Sequence, residues 1–192
     1  MMRYDIINSY IADYGLNSYL EIGYYDGFCF DKISCNQKLA VDPNPQLIKE
    51  THLVVETSDD YFEGLSENVK FDFIFIDGLH HSDQVDKDIQ NSLRHLSNGG
   101  FVMLHDTNPL DYYAQVIPRE TKAWNGDVWK SVVKFRVSNN DYSVYTYNTD
   151  NGCTIITNNP KKMYLYSELN YDITTLSYND LESNRNLLLN FI

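Results

Sequence analysis

The sequence predicts one doubly wound α/β domain with a mostly parallel sheet. Three observations carry this. Short apolar strands alternate with helical patterns from Ser18 to Asp106, each strand runs into a polar turn, and Phe71-Asp72-Phe73-Ile74-Phe75-Ile76 is an almost unbroken apolar run. Such alternation builds right-handed βαβ units. An apolar strand of that kind suits a sheet covered on both faces.

The elements follow in order. Tyr4, Ile7, Tyr10, Ile11 and Tyr14 form an approximate helical stripe that Gly15 can end. Ser18–Ile22 reads as the first strand and is followed at once by a glycine turn, after which a helix is expected. Leu39–Asp42 is the second strand, stopped by Pro43 and Pro45. Leu53–Glu56 is the third, with a helix start at Ser58. Phe71–Ile76 is the fourth. Ser82 can then cap a helix with Val85, Ile89, Leu93 and Leu96 on its core face, and Gly99-Gly100 can close it. Phe101–Leu104 is the fifth strand, ending in His105-Asp106. Tyr142–Tyr147 and Cys153–Thr157 flank Asp150-Asn151-Gly152, a turn suited to an antiparallel hairpin. A last helix over 179–192 packs Leu181 and Leu188 back onto the body. No internal boundary interrupts the chain, so residues 1–192 read as a single domain. Its parts are an N-terminal helix (1–17), a core (18–106), a polar-aromatic segment (107–140), and a hairpin with its closing helix (141–192).

Composition narrows the functional classes. The 192 residues suffice for one core. The net charge of −12 repels phosphate backbones and anionic membrane surfaces, so nucleic acid and membrane are poor partners and a small neutral or cationic ligand is favoured. No apolar run reaches the roughly 20 residues of a spanning helix. Three cysteines without a C-x-x-C pair argue against a disulfide framework or a zinc cage, and a cytoplasmic location is expected. The 16 tyrosines suit core edges, an acceptor pocket or a homodimer contact.

In open α/β sheets, ligands bind beyond the carboxyl ends of the strands. The first strand ends in Glu21-x-Gly23-x-x-x-Gly27, where glycines allow close approach of a ligand. Asp42, at the end of the second strand, stands where an acid can accept both hydrogen bonds of a ribose diol. Tyr24, Tyr25 and Asp26 make a poor seat for a pyrophosphate, so a phosphate-free, cationic nucleoside cofactor fits better. Glu21, Gly23, Gly27, Asp42 and Ser58 are the candidate cofactor contacts. Asp77 closes an apolar strand, a costly place for a carboxylate unless a partner or ligand meets it. His80 has a pKa range suited to proton transfer. The Asp83, Asp86 and Asp88 series reads as a solvated helix face rather than a metal cluster.

The order E-x-G-x-x-x-G, V-D-P, F-I-D-G-x-H, N-G-G-F-V-x-x-H-D, with Gly126-Asp127-Val128-Trp129-Lys130 beyond it, resembles the class I S-adenosylmethionine-dependent methyltransferases. More narrowly, it resembles the small bacterial branch related to macrolide-sugar and cephalosporin-type O-methyltransferases. The resemblance covers roughly residues 18–135. It implies a seven-stranded Rossmann-like sheet with a C-terminal antiparallel hairpin, S-adenosylmethionine as cofactor, and a sugar or small-molecule hydroxyl as acceptor. By position it implies that Asp77 and His80 touch the cofactor and, with His105, carry catalysis, His80 being the preferred base. In several relatives acids at the fourth and fifth strand ends bind magnesium, and Asp77 and Asp106 are the matching residues; His105, where many relatives have an acid, weakens that match. Trp124, Trp129, Tyr112 and Tyr113 are expected around the acceptor. Two other classes stay open. One is a nicotinamide-dependent oxidoreductase, against which the missing G-x-G-x-x-G counts. The other is a non-catalytic nucleoside-binding or assembly module, favoured if Tyr25 blocks the adenosyl path.

Overall fold

The computed structural model describes residues 1–46, 52–162 and 169–192. Its centre is one seven-stranded sheet in the order β3-β2-β1-β4-β5-β7-β6. The strands are β1 (Ser18–Ile22), β2 (Gln37–Val41), β3 (Leu53–Val54), β4 (Phe71–Ile76), β5 (Leu96–Leu104), β6 (Ser143–Tyr147) and β7 (Cys153–Thr157). The first five pair in parallel. The hairpin strand β7 adds antiparallel to β5, with Leu104 opposite Thr154. The expected mostly parallel sheet with an antiparallel end is therefore present.

Strand alternation divides the core into two layers. One face of the sheet, carrying Leu20, Ile74, Val102 and Ile156, packs under α2 (Ser58–Gly64), α3 (Ser82–Arg94), α5 (Val128–Ser138) and α6 (Tyr178–Leu189). The other face, with Tyr19, Phe73, Phe101 and Tyr145, is covered by α1 (Arg3–Tyr14) and by Cys29, Phe30 and Ile33. A four-residue α4 (Tyr112–Gln115) lies in the segment after β5.

Three local expectations are corrected. Between the glycine turn and β2 the chain forms only a 3-10 turn at Phe30–Lys32, not a helix. Spanning a strand of about 17 Å at 1.5 Å per residue takes about eleven helical residues, more than the chain has between Gly27 and Gln37. Gly99 and Gly100 do not close α3; they lie inside β5, whose pairing with β4 shifts register near them. Gly99 has φ +74° there, and a Cβ on Gly100 would meet the Asp72 carbonyl at 2.7 Å, so the pair absorbs an irregularity in the strand. Finally, Ser82 is the first helical residue of α3 rather than its cap.

Candidate active site

The carboxyl ends of β1, β2, β4 and β5 open into a cavity of about 1180 Å³. Backbone hydrogen bonds fix its floor: Gly23 donates to the Val41 carbonyl, Asp77 to Ile22, and His105 to Ile76. A Cβ on Gly23 would lie 2.2 Å from the Asp77 carbonyl oxygen, and Gly23 has φ +97°, so only glycine lets β1 and β4 end side by side.

Asp42 lies at the β2 end and lines the cavity. Its Oδ2 accepts the Tyr25 N–H at 2.7 Å and its Oδ1 the Asn44 N–H at 2.8 Å. The carboxylate thus ties two loops together and keeps lone pairs for a ligand. Tyr25 takes a positive φ of 49°, the conformation a glycine would adopt there. Its ring is 64% exposed at the rim. Glu21 and Gly27 do not line the cavity. Glu21 is buried on the opposite face of the sheet, where the Tyr19 hydroxyl donates to it. Burial pushes its carboxyl up to about 8, so at neutral pH it is chiefly the uncharged acid. A Cβ on Gly27 would strike the Tyr24 hydroxyl at 2.5 Å, so that glycine makes room for a tyrosine, not for a ligand.

Ser58 lines the far end of the cavity. Its hydroxyl donates to Asp88 Oδ1 at 2.7 Å, and Gln84 Nε2 donates to Asp59 Oδ1 at 2.9 Å and to Asp88 Oδ1 at 3.1 Å. Asp88 is therefore no solvated helix residue: it is 1% exposed, and burial raises its carboxyl to about 6. Period alone placed it with Asp83 and Asp86; it turns inward because α2 packs over that side of α3.

Asp77, His80, His105 and Asp106 converge at the other end. One ligand-type atom from each of Asp77, His80 and Asp106 lies within 4.8 Å of the others. His80 Nε2 is 3.2 Å from Asp77 Oδ1, while its Nδ1 faces the Trp124 carbonyl at 3.3 Å and Asp106 Oδ2 at 3.4 Å. All three neighbours are acceptors, so both ring nitrogens donate and the ring sits as imidazolium. Burial opposes that charge, but Asp77 and Asp106 outweigh it and raise the His80 pKa. Burial would likewise raise Asp77, yet His105 and His80 hold its carboxyl well below the usual range.

His105 Nδ1 is 3.2 Å from Asp77 Oδ1, and its Nε2 is 2.9 Å from Arg3 Nη1. Burial disfavours the imidazolium, and Asp77, Asp106 and Asp150 together raise its pKa. The arginine contact points the other way, because a guanidinium only donates and Nε2 must offer a lone pair. With Nε2 accepting from Arg3, His105 is neutral, with its proton on Nδ1 toward Asp77. Arg3 also donates from its backbone N–H and from Nη1 to Asp150 Oδ2, at 2.8 and 2.9 Å, and its Nε lies 3.7 Å from Asp77 Oδ2.

The segment Asn125-Gly126-Asp127 clamps the site from above. Asn125 Nδ2 donates to Asp106 Oδ1 at 2.9 Å. Gly126 has φ +62°, and a Cβ there would lie 1.8 Å from the His80 carbonyl. Asp127 accepts the Ser82 N–H at 2.7 Å and its hydroxyl at 3.0 Å, so it caps α3 in place of Ser82. Trp124 lines the cavity and stacks on His80 at 5.6 Å between ring centroids. Trp129 is wholly buried in the core, and Tyr112 and Tyr113 are exposed outside the cavity lining, so only Trp124 of these aromatics faces the site.

The residues do not fit a magnesium ion as arranged. Asp77 Oδ1 faces two imidazoles and its Oδ2 faces Arg3, while Asp106 Oδ1 takes Asn125 and its Oδ2 faces His80. Every carboxylate oxygen of the pair faces a nitrogen donor, and two of the donors are cations. A hard ion needs those oxygens itself and keeps water around it. The expected metal role of Asp77 and Asp106 is not supported by this geometry.

Residues 20–107 match a family model described as a methyltransferase domain. Within that stretch lie Gly23, Asp42, Ser58, Asp77, His80, His105 and Asp106. Solved structures of similar fold include methyltransferases. A Podospora anserina methyltransferase bound to SAH is 16% identical, with 81% of this chain and 77% of that one covered at a TM-score of 0.62. The Bacillus cereus O-methyltransferase in complex with SAH is 13% identical, with 81% of this chain and 80% of that one covered, TM-score 0.57. The O-methyltransferase TomG of Streptomyces achromogenes, in complex with SAM, is also 13% identical, with 81% and 78% covered and a TM-score of 0.57. None of the curated proteins matches this chain. Its sequence signalled Asp42, Asp77, His80 and the His105-Asp106 pair; Arg3 and Asp150 left no such signal, because nothing in a helix start or a hairpin turn marks a partner about 150 residues away.

Proposed function

We propose that the protein moves a methyl group from S-adenosylmethionine to a hydroxyl oxygen of a small molecule such as a sugar. The observation that carries this is one cavity joining a free-facing carboxylate at the β2 end, Asp42, to the Asp77–His80–Asp106 group at the β4 and β5 ends. Its volume lies just above the roughly 300–1,000 Å³ of ordinary ligand pockets, room for a nucleoside and an acceptor together.

Asp42 would accept the ribose hydroxyls, with Ser58 and Gln84 at the base end. S-adenosylmethionine, when bound, supplies an electrophilic methyl on sulfur. The protein's own work is then alignment and proton removal. Trp124 offers a flat apolar wall for the acceptor. His80 takes the hydroxyl proton once its own has been lost, and Asp77 holds the imidazole in place and stabilises its charge. As the C–O bond forms and the C–S bond breaks, the proton passes to the ring and the neutral thioether leaves. Tyr25, at the rim, lines the path without filling the cavity, which favours catalysis over an inert binding module.

Calorimetry with S-adenosylhomocysteine tests the reading. Wild type is expected to bind, and Asp42→Ala to lose at least about tenfold in affinity, the worth of one good hydrogen-bonded pair to a charged group. Equal affinity for both proteins would remove Asp42 from the cofactor site. Production of S-adenosylhomocysteine across sugar and phenol hydroxyls then defines the acceptor.

A further inference from the structure

Arg3 is the one residue of the cavity that comes from the N-terminal helix, and it lies against three polar side chains there. Nη1 is shared between Asp150 Oδ2 and His105 Nε2, each at 2.9 Å, and Nε faces Asp77 Oδ2. The side chain is 19% exposed and lines the cavity. Asp150 is itself fixed, because it opens a turn in which Asp150, Asn151 and Gly152 all take positive φ. Burial would raise its carboxyl, but the Arg3 backbone N–H and the Arg3 charge hold it below the usual range. A guanidinium is always charged and holds its donors in a rigid fork. It therefore does two things a divalent cation would do: it neutralises Asp77 and it orients His105.

We propose that Arg3 is a positioning residue that holds Asp77 and His105 and thereby excludes a divalent cation from the Asp77–Asp106 pair. The His80 ring, placed between the same two carboxylates, faces Asp77 Oδ1 at 3.2 Å and Asp106 Oδ2 at 3.4 Å. A metal entering the pair would have to displace that ring and would meet the fixed guanidinium charge at short range, an unfavourable meeting of like charges. In catalysis, transfer then proceeds without a metal; that consequence rests on the methyl-transfer reading, whereas the exclusion does not.

The test uses Mn²⁺ as the probe, followed at pH 7 by electron paramagnetic resonance and calorimetry on the full chain. Wild type is expected to show no saturable Mn²⁺ site. Arg3→Gln, with its fold checked by circular dichroism, is expected to gain a site at least about tenfold tighter. Arg3→Gln combined with Asp77→Asn loses that site again, and Arg3→Lys keeps Mn²⁺ out because it keeps the charge. Saturable binding to wild type that Asp77→Asn abolishes overturns the proposal. So does a folded Arg3→Gln that binds no Mn²⁺. Should Arg3→Gln fail to fold, Arg3→Met takes its place with the same two outcomes. Titration of the same samples with S-adenosylhomocysteine separates a failure of the cofactor reading from a failure of the exclusion.

Discussion

His80 meets acceptors on both ring nitrogens, Asp77 on one side and Trp124 and Asp106 on the other. A base in that setting works only after it has given up a proton, and its raised pKa moves that event to higher pH. The expected pH profile follows: kcat/KM rises with pH through the His80 pKa, and Asp77→Asn, which removes the largest favourable neighbour, moves the rise to lower pH. A rate independent of pH from 6 to about 9 would assign proton removal elsewhere. Such a profile is the check that separates His80 as base from His80 as a brace for Trp124. The four residues of this cluster were legible because strand ends are where ligands bind in an open sheet, and each sits at or just past one. The protonation pattern was not legible. It depends on which atoms face which, and the carbonyl of Trp124 comes from a segment 44 residues away.

At the scale of elements, the connection between Asp106 and α5 decides whether the site is assembled. Asn125, Gly126 and Asp127 grip Asp106, the His80 peptide and the start of α3 in turn. Removing the Asp127 side chain strips α3 of its cap, which typically costs about 1 kcal/mol and lowers Tm by roughly 2–4 °C in a domain of this size. Thermal melts of Asp127→Ala check that. A drop in kcat larger than the stability loss explains is expected too, since Ser82, two residues after His80, then loses its hold. Unchanged turnover would mean that the clamp is structural only. Element existence followed from period and from turn residues, as β4, α3 and the hairpin show. Two errors came from the same blind spot. The helix expected after β1 and the helix end placed at Gly99-Gly100 both depended on lengths and registers that neighbouring strands impose, and a glycine pair reads alike at a helix end and at a strand irregularity.

For the molecule as a whole, the order β3-β2-β1-β4-β5-β7-β6 brings the carboxyl ends of four parallel strands to one rim and leaves the antiparallel pair to close the edge. Beneath the rim, on the α1 face, Glu21 is buried as an acid raised from 4.5 to about 8. The linkage sign is that of a raised pKa: its contribution to stability is complete below about 4.5 and is lost as pH rises through about 8. Urea unfolding at pH 6 and pH 9 should therefore show wild type losing on the order of a few kcal/mol more than Glu21→Gln, which cannot ionise. Equal losses would place the buried charge elsewhere. No helix among the described residues is long and apolar enough to cross a membrane.

The bond between Arg3 and Asp150 also sets an order of events during synthesis. Arg3 finds its partner only after Asp150 has left the ribosome, and Gly152 must follow before the turn that holds Asp150 can close. A chain halted before the hairpin can form β1 to β5 and much of the pocket, yet its Asp77 and His105 lack a fixed neighbour. The group around Asp77 is thus completed late, when α1 and the hairpin turn meet at the rim.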